Sequence, residues 1–490
     1  MNLSKRESIK KELLKECSYN IHQGGKWRGW ISFFIFFSII IFFSCKKESF
    51  ITSPDANLYT SVDTLSFDTV FVTTGSITQS FKIFNNNNRK LRLSQVKLSG
   101  GSSSQFKMNV DGTASPDVSD VEIEANDSIY VFVQVNVNPN SDSNPFIISD
   151  SIEIDYNGNK KFVQLQAHGQ NAIFLKNKIL EGNITWNNTL PYVILGGIQV
   201  DTTATLILSP GTKVFLHADA PFLVDGTLTT HGTKDDPVIF SGDRLDMDYK
   251  DLPASWPGIF FRSTSENNSL KHTIIQNAYQ GIIAQDLSTT SNPKINISQC
   301  IINNVYDAGI LGINTSIYSD NSLISNCGSN IEIEYGGDYR FISCTVASYG
   351  NAYFIHKNPV LQLTNSISQN GSTYTAPLNA FLQNCIFWGD GGTVDNEIAI
   401  DKQGADPFSV TFDHVLYKAK NDISNATFVA PIINEPPMFD SIDVSRNIYD
   451  FHFNNHPNSP AVNAGVATPF LYDLDDNPRG ATPDIGCYQR

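Results

Sequence analysis

Two different rhythms of apolar and polar residues divide the chain. Between 65 and 171 the runs LSFDTVFV, SFKIFN, LRLSQVKL, FKMNV, VEIEA, YVFVQVNV, SIEIDY and FVQLQA alternate apolar with polar positions. A period of two places every apolar side chain on one face of an extended strand. Turns rich in Asn, Gly, Ser and Pro separate the runs at 85–88, 99–104, 138–145 and 157–159. The pattern predicts seven or eight strands folded as a β-sandwich with one polar face per sheet.

From about 194 the rhythm changes. Short apolar runs (TLIL at 205–208, VFL at 214–216, FLV at 222–224, VIF at 238–240, GIFF at 258–261, TII at 273–275, GII at 281–283) are separated by Gly or Asn corners. INISQCIINN, NSLISNCGSN, YRFISCTVAS, LQLTNSISQN and FLQNCIFWGD follow the same style. Strands this short cannot form a sandwich with long alternating faces, and their corners redirect the chain without reversing it. A coil of about twenty to thirty residues that stacks on its predecessor fits: each coil bonds to its neighbours, and its inward Ile, Val, Leu or Phe joins a continuous apolar column. FLVDGTLTTHGTKDDPVIF is one such turn, bending at Gly226, Gly232 and Asp235-Asp236-Pro237. The whole chain therefore reads as all-β, with residues 65–171 a sandwich, 172–193 a connector and N-terminal cap, 194–430 a solenoid and 431–490 its last coils and cap.

The N-terminus follows neither rhythm. Residues 31–43, ISFFIFFSIIIFF, form an apolar run too short for the roughly 20 residues of a spanning helix, as expected for the core of an export signal. Residues 1–44 carry a local charge of +4, so their removal takes the formal charge of the 490-residue chain from −15 to −19. That field repels phosphate backbones, which excludes nucleic acid as an expected partner and leaves cations and neutral or basic polymers. Residues 45–64 read as a tether. Of the remaining cysteines, Cys300, Cys327, Cys344, Cys385 and Cys487 have no CxxC spacing, which removes zinc-finger and thioredoxin readings; thiols buried in a core are the expectation, with a disulfide open to an exported chain.

Five resemblances add to this reading. Phe42-Phe43-Ser44-Cys45 resembles the lipobox of bacterial lipoproteins; the resemblance implies lipid attachment at Cys45, a membrane partner through that lipid and an outer-membrane location on its periplasmic or extracellular face. SFKIFNNN followed by VKLSGGSSSQF resembles immunoglobulin-like domains of the ASPM/SPD-2/Hydin type. LSPGTKVFLHADAPFLVDGTL and SWPGIFFRSTSENNSLKHTIIQNAYQGI resemble the right-handed parallel β-helices of the pectate-lyase superfamily, which implies that fold for the solenoid and makes polysaccharide an expected partner. SPAVNAG and YDLDDNPRGATPDIGCYQR resemble the ending of secreted bacterial β-helix proteins, where a cap must cover exposed backbone; Arg479 and Asp484 are its candidate closing pair. Asp-Ser/Thr-aliphatic triplets such as Asp68-Thr69-Val70 also resemble the O-glycosylation pattern of exported Bacteroidetes-type proteins.

No serine-hydrolase elbow, phosphate loop, HExxH or dinucleotide fingerprint is present in its required context. Catalysis on a β-helix would need outward acids and bases. In IEIEYGGDYRF, alternation buries Ile331 and Ile333 and points Glu332 and Glu334 outward, about 7 Å apart, with Asp338 and Arg340 beyond a Gly336-Gly337 bend. A solvated strand is the plain reading, and a carboxylate pair of an inverting glycosidase the sharper one. Asp243, Asp246, Asp248 and Asp251 lie in one loop and Asp473, Asp475 and Asp476 in one turn. Both offer oxygen ligands for Ca²⁺, with no other cofactor implied, yet neither has an EF-hand frame. His217, His231, His272 and His414 lack ligand spacing. The expected function is glycan binding along a helix face without cleavage, with a polysaccharide lyase or hydrolase, or an adhesive stalk, as alternatives.

Overall fold

The computed structural model describes residues 49–72, 75–140, 144–247 and 249–490. The export segment and Cys45 lie outside these residues, as does Asp248. The described chain is an immunoglobulin-like sandwich fused to a parallel β-helix with a C-terminal cap.

The sandwich sets one sheet, Phe50–Ile51, Lys90–Leu98, Phe146–Tyr156, Asn159–Gln170 and Thr64–Phe71 with Asp117–Ile123 beside Lys90–Leu98, against Leu58–Thr60, Gln79–Asn85, Asp127–Val135, Phe106–Val110 and Thr113–Ala114. Alternation does what the sequence suggests: along Asp127–Val135, Ile129, Val131, Val133 and Val135 are buried while Tyr130 and Phe132 face out. The stretch expected to be a tether enters this domain early, since Phe50–Ile51 pairs with Lys90–Leu98 and Leu58–Thr60 with Gln79–Asn85. Runs of two or three residues are too short for their period to show.

Asn171 and Ala172 alone separate the last sandwich strand from Ile173–Leu180, which already pairs in parallel with Tyr192–Val200. The expected connector is thus the first coil. The two bodies meet through Phe71 and Phe215, with ring centroids 5.2 Å apart, and through a hydrogen bond from the Met247 N–H to Asp68.

Every pairing in the 26-stranded sheet is parallel, and successive partners define three walls. The first wall stacks Phe222–Val224, Ile259–Phe261, Ile282–Gln285, the first halves of Ala308–Asp320 and Ser329–Ile342, then Leu361–Thr364 and Ile398–Asp401. The second contains Thr205–Leu208, Thr227–Thr230, Asn268–Lys271, Ile295–Ser298, the second halves of the same two long strands, Leu378–Gln383 and Phe408–Asp413. The third runs from Lys213–Leu216 through Thr273–Gln276, Ile301–Asn303 and Leu323–Ser325 to Leu416–Tyr417. Coil length varies: on the first wall Ile259, Ile282, Ile310, Ile331, Leu361 and Ile398 follow at 23, 28, 21, 30 and 37 residues. The longest coil extrudes the hairpin Ser366–Gln369 and Ser372–Thr375.

One residue in the left-handed region makes each of six successive corners between the second and third walls: His272, Gln299, Asn321, Ser343, Asn384 and His414, with φ between 41° and 53°. The next residue turns inward beneath a tight bend, so small side chains sit there. Thr273, Cys300, Ser322, Cys344 and Cys385 occupy this column, tied by Cys300 N–H to Ser322 Oγ and Cys344 N–H to Cys385 Sγ. Cys327 belongs to a different corner, after Asn326, so three of the described cysteines share this column. All five described cysteines are buried and unbridged.

The cap closes the helix along its flank. Residues 437–490 lie over the outside of the third wall, where Phe439, Phe451, Phe453, Ala461, Ile485 and Cys487 cover Leu323, Ile386 and Leu416.

Candidate functional site

The corner between the third and first walls is wider and carries exposed rings. Tyr279 and Tyr306 occupy equivalent positions on successive coils and stack at 5.6 Å with planes 24° apart, at 47% and 51% exposure. The next coil has Gly328 there, because a Cβ would sit 2.3 Å from the Tyr306 carbonyl; the stack ends at an open step. Beside it Gln280 donates to Asp307 at 2.8 Å. Four or five residues further along each coil, on the first wall, the outward column reads Leu223, Phe260, Ile283, Leu311, Glu332 and Gln362. Parallel pairing at about 4.8 Å per coil puts aromatic faces, an amide and carboxylates side by side.

Glu332 is half-buried, and burial together with the charges of Glu334 and Asp307 raises its carboxyl above the usual range. Raising a carboxyl this way favours its protonated form. Asp307 was not singled out in the sequence. It lies 25 positions before Glu332 and only the coil register brings it near. Arg262, just past Ile259–Phe261 on the first wall, is already engaged: it donates through Nε to Asp225 at 2.7 Å and through a second nitrogen to the same carboxylate.

Asp338 and Arg340 do not join Glu332 and Glu334. Tyr335, Gly336 and Gly337, with φ of 58°, 77° and 119°, turn the strand from the first wall to the second. Any Cβ at Gly337 would meet the Thr315 carbonyl at 2.3 Å, so glycine is required. Past the corner Asp338 accepts from Tyr318 at 2.7 Å and from Asn379 at 2.6 Å, and the Arg340 guanidinium lies 5.6 Å from the Tyr318 ring. These groups form a polar ladder across three coils.

The two acidic groups are spent on internal partners. Asp243 pairs with His217 at 2.7 Å in a cleft of about 180 Å³ between the sandwich and the helix, and burial raises its carboxyl. Asp246 takes a two-pronged bond from Arg244, and Asp251 one from Lys250. Asp473 is fully buried and accepts from the backbone of Asp475, Asn477 and Gln489, the pattern of a side chain that shapes a turn. Asp475 bonds His452 at 2.9 Å, and Asp476 bonds Gln299 at 2.7 Å. Among the described residues no cluster of three or more His, Cys, Asp or Glu is arranged to hold a metal ion. Arg479 reaches Asp484 only at its backbone carbonyl, 3.1 Å away. It also donates to the Gly486 carbonyl and to Asn321, while the Asp484 carboxylate takes the N–H groups of Asn463 and Arg490. Both residues fasten the cap, but not as an ion pair.

Two buried charged groups escaped the sequence. Lys294 is fully buried and donates to the carbonyls of Arg262, Ser263 and Ser265. His356 and Glu397, 2% and 1% exposed, meet at 3.0 Å. Neither sits in a run whose period predicts burial.

No protein-family model matches the chain, and no curated protein does. Among solved structures the chain is similar in part to a family 123 glycoside hydrolase from Clostridium perfringens, at 12% identity over 24% of this chain and 26% of that one. It is similar also to the ASH/PapD-like domain of human CEP192, at 11% over 25% and 89%. A third is the Salmonella enterica SafA pilin in complex with the SafB chaperone, at 12% over 24% and 56%. The TM-score is 0.17 in each case, and the chain spans less than two thirds of the first and third.

Proposed function

We propose that the protein is an outer-membrane lipoprotein, anchored through Cys45, that holds a glycan against the first wall of its β-helix without cleaving it. The resemblance of its coils to the pectate-lyase superfamily and of its sandwich to ASPM/SPD-2/Hydin domains supports the setting: a spacer carrying a polymer-facing solenoid. The observation that carries the reading is the exposed Tyr279/Tyr306 stack beside Gln280, Asp307 and Glu332. The electron-rich face of an aromatic ring attracts the polarised C–H groups of a sugar, and planar amides and carboxylates bond its hydroxyls. A chain of sugars lying along the coil axis meets these groups at successive steps.

A polysaccharide hydrolase is the second reading, favoured by one feature: the raised Glu332 carboxyl beside Asp307 from the neighbouring coil, an acid poised next to a second carboxylate. A lyase would additionally need a free base, and Arg262 is engaged by Asp225. Titration of a panel of soluble polysaccharides into the full chain, with product reducing ends and unsaturated ends measured in parallel, separates the readings. Binding that falls about tenfold or more in Tyr306→Ala, with no product formed, supports the proposal. Product that disappears in Glu332→Gln moves the protein to the hydrolases. No binding to any glycan leaves the stalk.

A further inference from the structure

On the other side of the Tyr279/Tyr306 corner lies a partly open cavity of about 300 Å³ between the third wall and the cap. Its floor is a register column of polar side chains, Gln276, Asn303 and Ser325, on three successive coils, with Asn326 beside them. Its roof is made by Tyr449, Phe451 and Tyr488 of the cap.

The floor has donors to spare. Asn326 is 2% exposed and its Oδ1 accepts from the Tyr349 N–H at 3.1 Å, yet its amide nitrogen donates to no protein group among the described residues. The Asn303 Oδ1 accepts from Ser325 at 3.0 Å and its amide nitrogen is likewise unpaired. The Gln276 amide reaches Ser241 only at 3.4 Å. Gln276 and Asn303 are only partly buried, and these amides open into the cavity, where water or a ligand can take their N–H groups. The neighbouring Asn277 and Asn304 show the contrast, since they are used up in a ladder that runs from Asn351 through Asn304 and Asn277 to the Lys250 carbonyl. Asp251 is the one charged lining residue, and Lys250 pairs with it. Amide donors below, the partly exposed Tyr449 ring above and a single carboxylate paired with Lys250 suit a neutral, polyhydroxylated guest of a size at the lower end of ligand cavities.

We propose that this cavity binds one neutral sugar residue, with the amides of Gln276, Asn303 and Asn326 on its hydroxyls and the Tyr449 ring beside it. The site does not depend on the first-wall reading, because Tyr279 and Tyr306 take no part in it.

Saturation-transfer NMR and calorimetry on the full chain test it with neutral hexoses and N-acetylhexosamines, against a uronic acid and an unacetylated amino sugar. A second arm uses short oligosaccharides of the sugar that binds, with either end blocked, to tell a free monosaccharide from a chain terminus. Saturable binding of a neutral sugar, lost at least tenfold in both Asn303→Leu and Gln276→Leu at unchanged melting temperature and retained in Tyr306→Ala, supports the proposal. It is overturned if no neutral sugar binds at concentrations on the order of 10 mM, if the charged sugars bind equally well, or if the folded variants bind as the parent does. Should one variant fail to fold, the other carries the test.

Discussion

The second and third walls share one architecture and one kind of inner ladder, yet their outer columns are opposites. Reading outward along successive coils, the second wall shows Ser269, Asn296, Tyr318, Arg340, Phe381 and Thr411. The third shows Ile239, Ile274, Ile301, Leu323, Thr345, Ile386 and Leu416. The first column stands in water. The second is apolar because the strands read Ile274-Ile275, Ile301-Ile302, Leu323-Ile324 and Ile386-Phe387, and neighbours in a strand point to opposite faces. A wall apolar on both faces must be covered, and the cap with its phenylalanines does so. The cap is therefore a second layer of the molecule, and the cavity exists because that layer bridges over the polar edge of the third wall.

The largest way to break the comparison is to end the chain at Pro437. The outer column of the third wall would become an apolar patch of the sort that drives association, so the expected outcome is aggregation and strong binding of a hydrophobic dye, with sedimentation as the check. Full solubility as a monomer would mean that the cap is not a structural layer. Next in size, Ile386→Ser, fully buried under the cap, is expected to cost about 3 kcal/mol in denaturant unfolding, while Asn296→Ser on the matching face of the second wall should stay within about 0.5 kcal/mol. Arg479→Met removes donors from Asn321 and two cap carbonyls; about 1–3 kcal/mol is expected, read as early proteolysis of the cap before the coils open.

The smallest effect concerns the first wall and pH. Glu332 has its carboxyl raised by burial, Glu334 and Asp307, so the folded state binds its proton more tightly than the unfolded state. Its ionisation therefore weakens the fold as pH rises through the carboxylate range, and the penalty is absent below about pH 4, where both states are protonated. Glu332→Gln should be more stable than the parent at neutral pH, by no more than about 0.5 kcal/mol, and indistinguishable from it in acid. A variant that is less stable at pH 7 would show that the carboxylate is being held by a cation.

Much of this is legible along the chain because burial writes itself into local period. Alternation in YVFVQVNV and SIEIDY marks the sandwich, and short runs between Asn and Gly corners mark the coils. The outward placement of Glu332 and Glu334 is a local fact as well. Asp338 and Arg340 sit across a corner from them because the tyrosine and two glycines of IEIEYGGDYRF take positive φ, and a bend between walls looks in sequence like a bend within one. Asp307 and the Tyr279/Tyr306 pair could not be connected to Glu332 without the coil lengths, which vary from 21 to 37 residues on that wall.

By itself, then, the sequence determined which residues turn inward, where the chain bends and that two kinds of β-structure follow one another, since each of these depends on neighbours a few positions away. Tertiary structure alone decided which outward residues share a surface. Register adds the length of a whole coil to every contact, and the cap returns from more than a hundred positions downstream to roof a cavity whose floor was laid by Gln276, Asn303 and Ser325. Surfaces in a solenoid are assembled across coils, and no local pattern records the sum.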